Sequence, residues 1–167
     1  MELLVVRHGR AEDHETFAAR GEPDSQRPLT AKGISRVKKA AHGLRGQIPS
    51  IDLVVSSPLR RAIQTARIIA EAYEGVRLVE RDELTPGKAP KHLIHWLTTL
   101  RQHKTVCIVG HEPDLSKLIG ILLADDSRVP EKIKKGSVTF VRFQGSVAAS
   151  RGHLEWHRSA KELGSSV

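Results

Sequence analysis

Two histidines and an arginine follow apolar segments that have the character of buried strands. Residues 3–6, LLVV, lead directly into Arg7 and His8, and residues 105–110, TVCIVG, lead directly into His111. Histidine can act as a nucleophile or a proton carrier near neutral pH, and the planar arginine side chain offers several donors to phosphate oxygens. These residue types at strand ends therefore indicate chemistry on an anionic, tetrahedral group.

A third apolar segment, residues 51–57, ends at a signal for the start of a helix. Ser57 is suited to cap that helix and Pro58 to occupy its first position. Arg60 then falls in the first turn, opposite the apolar stripe that Leu59 begins, so we expect it to point back toward the strand ends. Taken alone, a histidine after a strand is more often a structural hydrogen-bonding group, and an arginine in a first turn is more often solvated. Their joint occurrence is what indicates a site.

The elements that must position these residues alternate between strands and helices. Strands are predicted at residues 2–6, 51–57, 77–80, 105–110, 137–143 and 153–159. Helices are predicted at about residues 30–45, 58–73 and 92–101 and after Pro113, with a loop at residues 13–28 and a tail at 160–167 that is expected to fray. This order predicts an α/β fold with a mainly parallel sheet and an antiparallel edge. Because ligands of such sheets bind outside the carboxyl ends of the strands, the histidine and arginine segments are expected to meet there.

The composition is that of a soluble, globular protein. The chain has 167 residues, of which 39% are apolar and 28% charged, so we expect one domain over residues 1–167. No apolar run approaches the roughly 18–20 residues that span a bilayer, and the N-terminus lacks the features of a signal peptide. These observations predict a cytoplasmic protein without a membrane contact. Cys107, the only cysteine, lies in an apolar strand and is predicted to be a packing residue.

The charge balance favours anionic partners. Lysine and arginine total 27 against 19 aspartate and glutamate residues, a net charge of +8. The densest basic clusters, Arg36-Lys38-Lys39 and Lys132-Lys134-Lys135, are predicted to form solvated faces. Aromatic residues make up only 4%, which is few for a surface that stacks bases, so specific nucleic-acid binding is not expected. No element shows an apolar outer face, and a monomer is therefore expected.

Five short motifs in this order resemble the histidine phosphatase superfamily, branch 1, which includes the cofactor-dependent phosphoglycerate mutases. The motifs are RHG at residues 7–9, RPLTAKG at 27–33, SSPLRRAIQTA at 56–66, ELTPG at 83–87 and GHEP at 110–113. ELTPG and the absence of a long insertion before GHEP are most similar to the SixA-type phosphohistidine phosphatases. The resemblance implies a phosphoglycerate mutase-like three-layer sandwich, with a mainly parallel sheet, an antiparallel edge and helices on both faces.

The resemblance also implies roles for individual residues. His8 would be the nucleophile and form a phosphohistidine intermediate, with its other ring nitrogen donating to a backbone carbonyl near Gly9. Arg7, Arg60 and, if protonated, His111 would bind the phosphoryl oxygens. These cations would supply the positive charge, so neither a metal nor another cofactor is implied.

Glu83 is the best candidate for an acid that protonates the leaving group. An equally weighted interpretation is that its carboxylate caps a turn or pairs with Arg7 or Arg60. A phosphohistidine substrate lessens the need for an acid, because imidazole leaves more readily than an alkoxide.

Three functions remain open from the sequence. The leading hypothesis is a metal-independent phosphatase for phosphohistidine on a protein partner. The alternatives are a phosphatase or mutase for a small phosphorylated metabolite or nucleotide, and a module that binds phosphate or nucleic acid without catalysis. A neutral, oriented His8 is needed only for catalysis, which argues against the binding module.

Overall fold

A six-stranded mixed sheet forms the centre of the computed structural model, in which residues 1–125 and 129–165 are described. The strands are β1 (Glu2–Arg7), β2 (Leu53–Ser56), β3 (Leu78–Glu80), β4 (Thr105–Gly110), β5 (Val138–Arg142) and β6 (His153–Arg158). The α-helices are α1 (His14–Ala18), α2 (Ala31–Gln47), α3 (Arg60–Ala72), α4 (Pro90–Leu97), α5 (Asp114–Leu122) and α6 (Ala160–Gly164). Short 3₁₀ turns lie at Asp24–Gln26 and Asp82–Leu84.

The strand order is β3-β2-β4-β1-β5-β6. Strands β1 to β4 are parallel, whereas β5 runs antiparallel to β1 and β6 runs antiparallel to β5. The predicted mainly parallel sheet with an antiparallel edge is confirmed. Parallel strands need crossover connections, and helices α2, α3 and α4 supply them between β1, β2, β3 and β4.

Helices cover both faces of the sheet, as the alternation of side chains along β1 shows. Leu3 and Val5 pack into a core with α4 and α5, and Leu4 and Val6 pack into a second core with α2, α3 and α6. All four side chains are at most 2% exposed, which explains why the segment reads as a continuous apolar run rather than an alternating one. The three-layer sandwich that the sequence indicated is therefore the observed architecture.

The start of α3 differs from the prediction. The helix begins at Arg60, and Leu59, with φ −69° and ψ 135°, is its N-cap residue without a side-chain cap. Ser57 and Pro58 therefore lie between the end of β2 at Ser56 and the helix. The Ser57 hydroxyl contacts the site described below.

The C-terminal segment is helical where fraying was expected. Helix α6 begins with a capping box, in which Ser159 accepts from the backbone of Glu162 and the Glu162 side chain accepts from the backbone of Ser159. Leu163 is fully buried in the core beside α2. The prediction was wrong for residues 160–164, because one apolar residue and a capping box suffice to hold this short helix when a partner helix is present. Residues 166–167 lie outside the described part.

Three smaller expectations have clear outcomes. Thr30 caps α2 as predicted, accepting from the backbone of Gly33 at 2.9 Å. The predicted loop at residues 13–28 contains α1, which Asp13 caps. Cys107 is fully buried, and burial raises the pKa of its thiol to about 12, which agrees with a packing role.

Among the described residues, no helix has the length and apolar character needed to cross a membrane.

Candidate active site

The carboxyl ends of three adjacent strands bring the two histidines together. In the sheet, β4 lies between β1 and β2, and Arg7 is level with Gly110. The backbone N–H of His8 donates to the carbonyl of Gly110 at 3.1 Å, so the residues that follow β1 and β4 emerge side by side. The ring centroids of His8 and His111 are 5.0 Å apart. The meeting of these segments, expected from the sequence, is observed.

His8 is held in one tautomer by a backbone hydrogen bond. Its Nδ1 lies 2.7 Å from the carbonyl oxygen of Gly9, which can only accept, so Nδ1 carries the proton and Nε2 has a free lone pair. The N–H of Gly9 in turn donates to Thr65 Oγ1 at 3.0 Å, which fixes the peptide that orients the ring. A side chain at Gly9 would bring a Cβ within 2.6 Å of Val37, so the close approach of α2 requires glycine there.

The electrostatic environment keeps His8 neutral. Burial lowers its pKa to about 3, and the hydrogen bond to Gly9 opposes that shift. The charges of Arg61 and Arg7 add to it, as does that of His111 when His111 is protonated. The side chain is 6% exposed, so water provides little compensation. At neutral pH the ring is therefore a neutral imidazole with an unprotonated Nε2.

His111 is a neutral donor rather than a cation. Its Nε2 lies 2.8 Å from Ser57 Oγ, and that hydroxyl also accepts from the N–H of Leu59 at 3.3 Å. The hydroxyl can then donate its proton to Nε2, and in that tautomer the His111 proton is on Nδ1, which has no hydrogen-bond partner among the described residues. Burial lowers the pKa of His111 to about 4, helped by Arg61 and opposed by Asp114. The sequence left open whether His111 is protonated. Because burial lowers its pKa to about 4, the ring is neutral near pH 7.

Two arginines lie close enough to both histidines for their charges to lower the pKa values of the rings. Arg7 donates through Nη1 to the carbonyl of Ile133 at 2.7 Å. Arg61 donates through Nη1 to the carbonyl of Asp24 at 3.0 Å, and its Nη2 lies 3.1 Å from the Asp24 carboxylate. Both guanidinium groups are held by these contacts, and the charges of both lower the pKa of His8.

Arg61, not Arg60, is the arginine beside the histidines. Arg60 is exposed and its Nη1 reaches the carbonyl of Gln26 at 3.3 Å, whereas Arg61 is 5% exposed. The expectation for Arg60 is corrected for a helical reason, because Arg61 is four residues before the buried Thr65 and shares its side of α3. The resemblance contained the signal, because in the form SSPLxRAxQTA of the family motif that residues 56–66 resemble, the arginine corresponds to Arg61 and not to Arg60.

Three buried donors around His8 have no hydrogen-bond partner among the described residues. They are Arg7 Nε, Arg61 Nε and His111 Nδ1. An unpaired buried donor costs about 1–3 kcal/mol, so folded proteins rarely keep three in one place without a role. Their number and kind suit the oxygens of one tetrahedral oxyanion.

Glu83 lies near this cluster but is engaged by another residue. Its carboxylate accepts from Arg81 Nε at 3.1 Å, and it lines a small cavity that His111 also lines. Burial raises the pKa of Glu83, but the hydrogen bond and charge of Arg81 outweigh that effect and hold the pKa below its ordinary value. Glu83 is therefore ionised at neutral pH, and its partner is Arg81 rather than the expected Arg7 or Arg60.

Comparison with known proteins agrees with this fold. A family model described as the histidine phosphatase superfamily (branch 1) matches residues 3–85. The phosphohistidine phosphatase SixA of Escherichia coli (strain K12) is 30% identical over 171 residues, covering 98% of this chain and 96% of that protein. The chain therefore belongs to the histidine phosphatase superfamily, branch 1.

Within the superfamily, the chain is similar in extent and fold to SixA. A structure of the protein histidine phosphatase SixA complexed with tungstate superposes with a TM-score of 0.81 at 26% identity, over 98% of this chain and 99% of that one. A more distant relative, the 5''-phosphoribostamycin phosphatase of Niallia circulans, is 34% identical over 103 residues, 59% of this chain and 46% of that protein. Relatives with protein and with small-molecule substrates in their names are thus both present.

Proposed function

We propose that this protein is a phosphatase that removes the phosphoryl group from phosphohistidine on a protein partner, through a phosphohistidine intermediate on its own His8. The observation that carries the proposal is the free Nε2 of a neutral His8, beside three buried nitrogen atoms that have no hydrogen-bond partner in the described part of the chain. A binding module would gain nothing from keeping this ring neutral and in one tautomer. The similarity to SixA over nearly the whole chain supports the choice of substrate.

In the first step, His8 Nε2 attacks phosphorus as the bond from phosphorus to the substrate nitrogen breaks. The electron pair of that bond leaves with the substrate imidazole, which departs neutral when its other nitrogen carries a proton. Arg7, Arg61 and the Nδ1–H of His111 donate to the three phosphoryl oxygens and stabilise their charge. The hydrogen bond from His8 Nδ1 to Gly9 strengthens as the phosphorylated ring becomes cationic.

In the second step, water attacks phosphorus on the side opposite His8. The bond from phosphorus to Nε2 breaks, its electron pair returns to the ring, and the water proton leaves with inorganic phosphate. His8 is then again a neutral imidazole protonated on Nδ1, which is the state that the site favours. The positive charge for both steps comes from the protein's own side chains, and we propose that no metal takes part.

The state of Glu83 supports phosphohistidine over a phosphate ester. An alkoxide leaving group needs a proton in the transition state, and an ionised Glu83 bound to Arg81 has none to give. A phosphohistidine whose other ring nitrogen already carries a proton leaves as neutral imidazole and needs no proton from an acid. The alternative, a phosphatase for a small metabolite, has support from the Niallia circulans relative and requires that substrate binding separate Glu83 from Arg81.

The test compares substrates in the presence of a chelator. A protein chemically phosphorylated on histidine is assayed beside p-nitrophenyl phosphate and sugar phosphates, with His8→Ala and Glu83→Gln variants. We expect rapid release from phosphohistidine, slow release from the esters, no release by His8→Ala, and less than about 3-fold loss for Glu83→Gln. Rapid turnover of one ester together with a large loss in Glu83→Gln would instead establish the metabolite phosphatase.

A further inference from the structure

Two basic clusters that are far apart in the sequence form the walls of one cleft. Arg36 and Lys39 of α2 lie on one side, and Lys132 and Lys134 of the loop before β5 lie on the other. The cleft has a volume of about 770 Å³, which is in the range of ligand sites. The sequence predicted two independent solvated faces, but the fold places both on a single concave surface.

The cleft adjoins the candidate active site. Arg7 and Gly9, the neighbours of His8 in the chain, are among the residues that line it, whereas His8 itself is not. The loop that carries the lysines is fastened to the same strand end, because the N–H of Gly136 donates to the carbonyl of Arg7 at 2.9 Å and lies 3.1 Å from that of His8. A molecule in the cleft would therefore lie next to the strand end that carries the nucleophile.

Every ionisable side chain that the structure places along this cleft is a cation. These residues are Arg7, Arg10, Arg36, Lys39, Lys132, Lys134, Lys135 and Lys161. Burial and the charges of Arg7, Arg27, Arg10 and Arg61 lower the pKa of Lys135, which shows how closely the cations are packed. This surface is therefore complementary to a partner that brings several negative charges.

The character of the cleft selects among anionic partners. Its described lining contains no aromatic side chain on which a base could stack, which disfavours single-stranded nucleic acid. Its concave shape between two walls does not suit a flat bilayer. Cations spread from Arg7 to Lys161 match a chain with distributed charge better than a single second phosphate, which would need a few convergent donors.

We propose that this cleft docks an acidic segment of the phosphorylated protein substrate and so presents the neighbouring phosphohistidine to His8. The proposal rests on the proposed function and deepens it, since it assigns a charge to the surface around the substrate histidine. Docking outside the reacting group would lower KM for the protein substrate and leave the chemical step to the residues around His8.

Charge reversal on each wall tests the proposal. The two wall variants are Arg36→Glu/Lys39→Glu and Lys132→Glu/Lys134→Glu. The matched control is Arg101→Glu/Lys104→Glu, which makes the same charge change at exposed positions just before β4. These positions lie at the amino end of that strand, whereas the candidate site lies at its carboxyl end. Each protein is assayed on an acidic protein phosphorylated on histidine and on phosphoimidazole, and its binding to the unphosphorylated acidic protein is measured by fluorescence anisotropy.

We expect both wall variants to raise KM for the acidic phosphoprotein and Kd for its unphosphorylated form by about 10-fold or more at low salt, with the effect shrinking as salt is added. On phosphoimidazole, the loss in kcat/KM should be several times smaller, and the control should match the native protein on both substrates. Equal KM and Kd in native and wall variants would overturn the docking proposal while leaving the proposed function intact.

Two further outcomes separate the possible failures. If the native protein hydrolyses no phosphohistidine substrate but still binds the acidic protein through the two walls, the proposed function fails and the docking surface stands. If a single-stranded oligonucleotide or an anionic vesicle binds the walls more tightly than the acidic protein does, the assigned partner is wrong.

Discussion

The neighbouring residues Arg60 and Arg61 allow a direct test of the site, because the same substitution at each should have very different effects. Arg61 is 5% exposed, contributes to the low pKa of His8, and has a buried Nε without a partner among the described residues. Arg60 is exposed and makes one hydrogen bond of 3.3 Å to the carbonyl of Gln26. We therefore compare Arg61→Gln with Arg60→Gln.

The expected magnitude follows from the geometry. Removal of one preorganised donor to a developing oxyanion costs about 10²–10³-fold in rate, or about 2.7–4 kcal/mol. The Arg61→Gln substitution removes a full positive charge as well as the donor. We expect Arg61→Gln to slow phosphorylation of His8 by at least about 10²-fold. Arg60→Gln removes an exposed contact whose value is at most about 1 kcal/mol, so its effect should stay below about 5-fold.

The assay is single-turnover formation of the phosphorylated enzyme, with urea unfolding measured in parallel. Because Asp24 also holds Arg61, at 3.1 Å, Asp24→Asn serves as a control that weakens this anchor and keeps the arginine charge. We expect Asp24→Asn to be much faster than Arg61→Gln at similar stability. Equal losses for Arg60→Gln and Arg61→Gln, or a loss for Arg61→Gln explained by unfolding, would refute the assignment of Arg61.

Two further predictions concern stability. A Cβ at Gly43 would lie 1.9 Å from the carbonyl oxygen of Leu163, so Gly43→Ala should lower the free energy of unfolding, measured in urea, by about 1–3 kcal/mol. A Cβ at Gly46 meets nothing within 4 Å, so Gly46→Ala should raise the free energy of unfolding by about 0.5–1 kcal/mol. A gain at Gly43 would show that α6 does not pack on α2 as described. The folded-state pKa values of His8 and His111, about 3 and about 4, lie below the ordinary 6.5, so the unfolded chain binds more protons as pH falls below 6.5. The free energy of unfolding should therefore fall by about 4 kcal/mol between about pH 7 and pH 5, and His8→Asn should remove about half of that dependence; a flat profile would contradict neutral buried histidines.

The convergence of the two histidines could be predicted because it depends on local patterns. Residues 3–6 and 105–110 are continuous apolar runs, which buried parallel strands require, and the change to polar residues marks where each strand ends. Once both strands lie in one parallel sheet, their following residues must share an edge. The hydrogen bond from His8 to Gly9 was implied by the family resemblance, and it joins neighbouring residues.

The remaining features depend on contacts between distant segments. Ser57 fits a helix-cap pattern, but its hydroxyl contacts His111, which is 54 residues away. The segment 160–164 is too short to form a stable helix alone, and it becomes helical where Leu163 is buried beside α2. The basic clusters at Arg36 and Lys132 share a cleft only because the loop before β5 is tied to the end of β1. Each of these contacts joins segments that are far apart in the chain, so a short stretch of sequence could not predict it.

The cations of the candidate site have two effects that support one another. In the proposed mechanism Arg7 and Arg61 bind the phosphoryl oxygens. Their charges also lower the pKa of His8, so the same cations that would attract an anion keep the proposed nucleophile unprotonated. A bound phosphoryl group offsets part of that positive charge and makes the cationic, phosphorylated His8 acceptable in a buried position. After hydrolysis and release of phosphate, the uncompensated charge of the arginines again favours the neutral ring. The charge distribution thus favours neutral His8 before attack and tolerates the intermediate while the phosphoryl group is present.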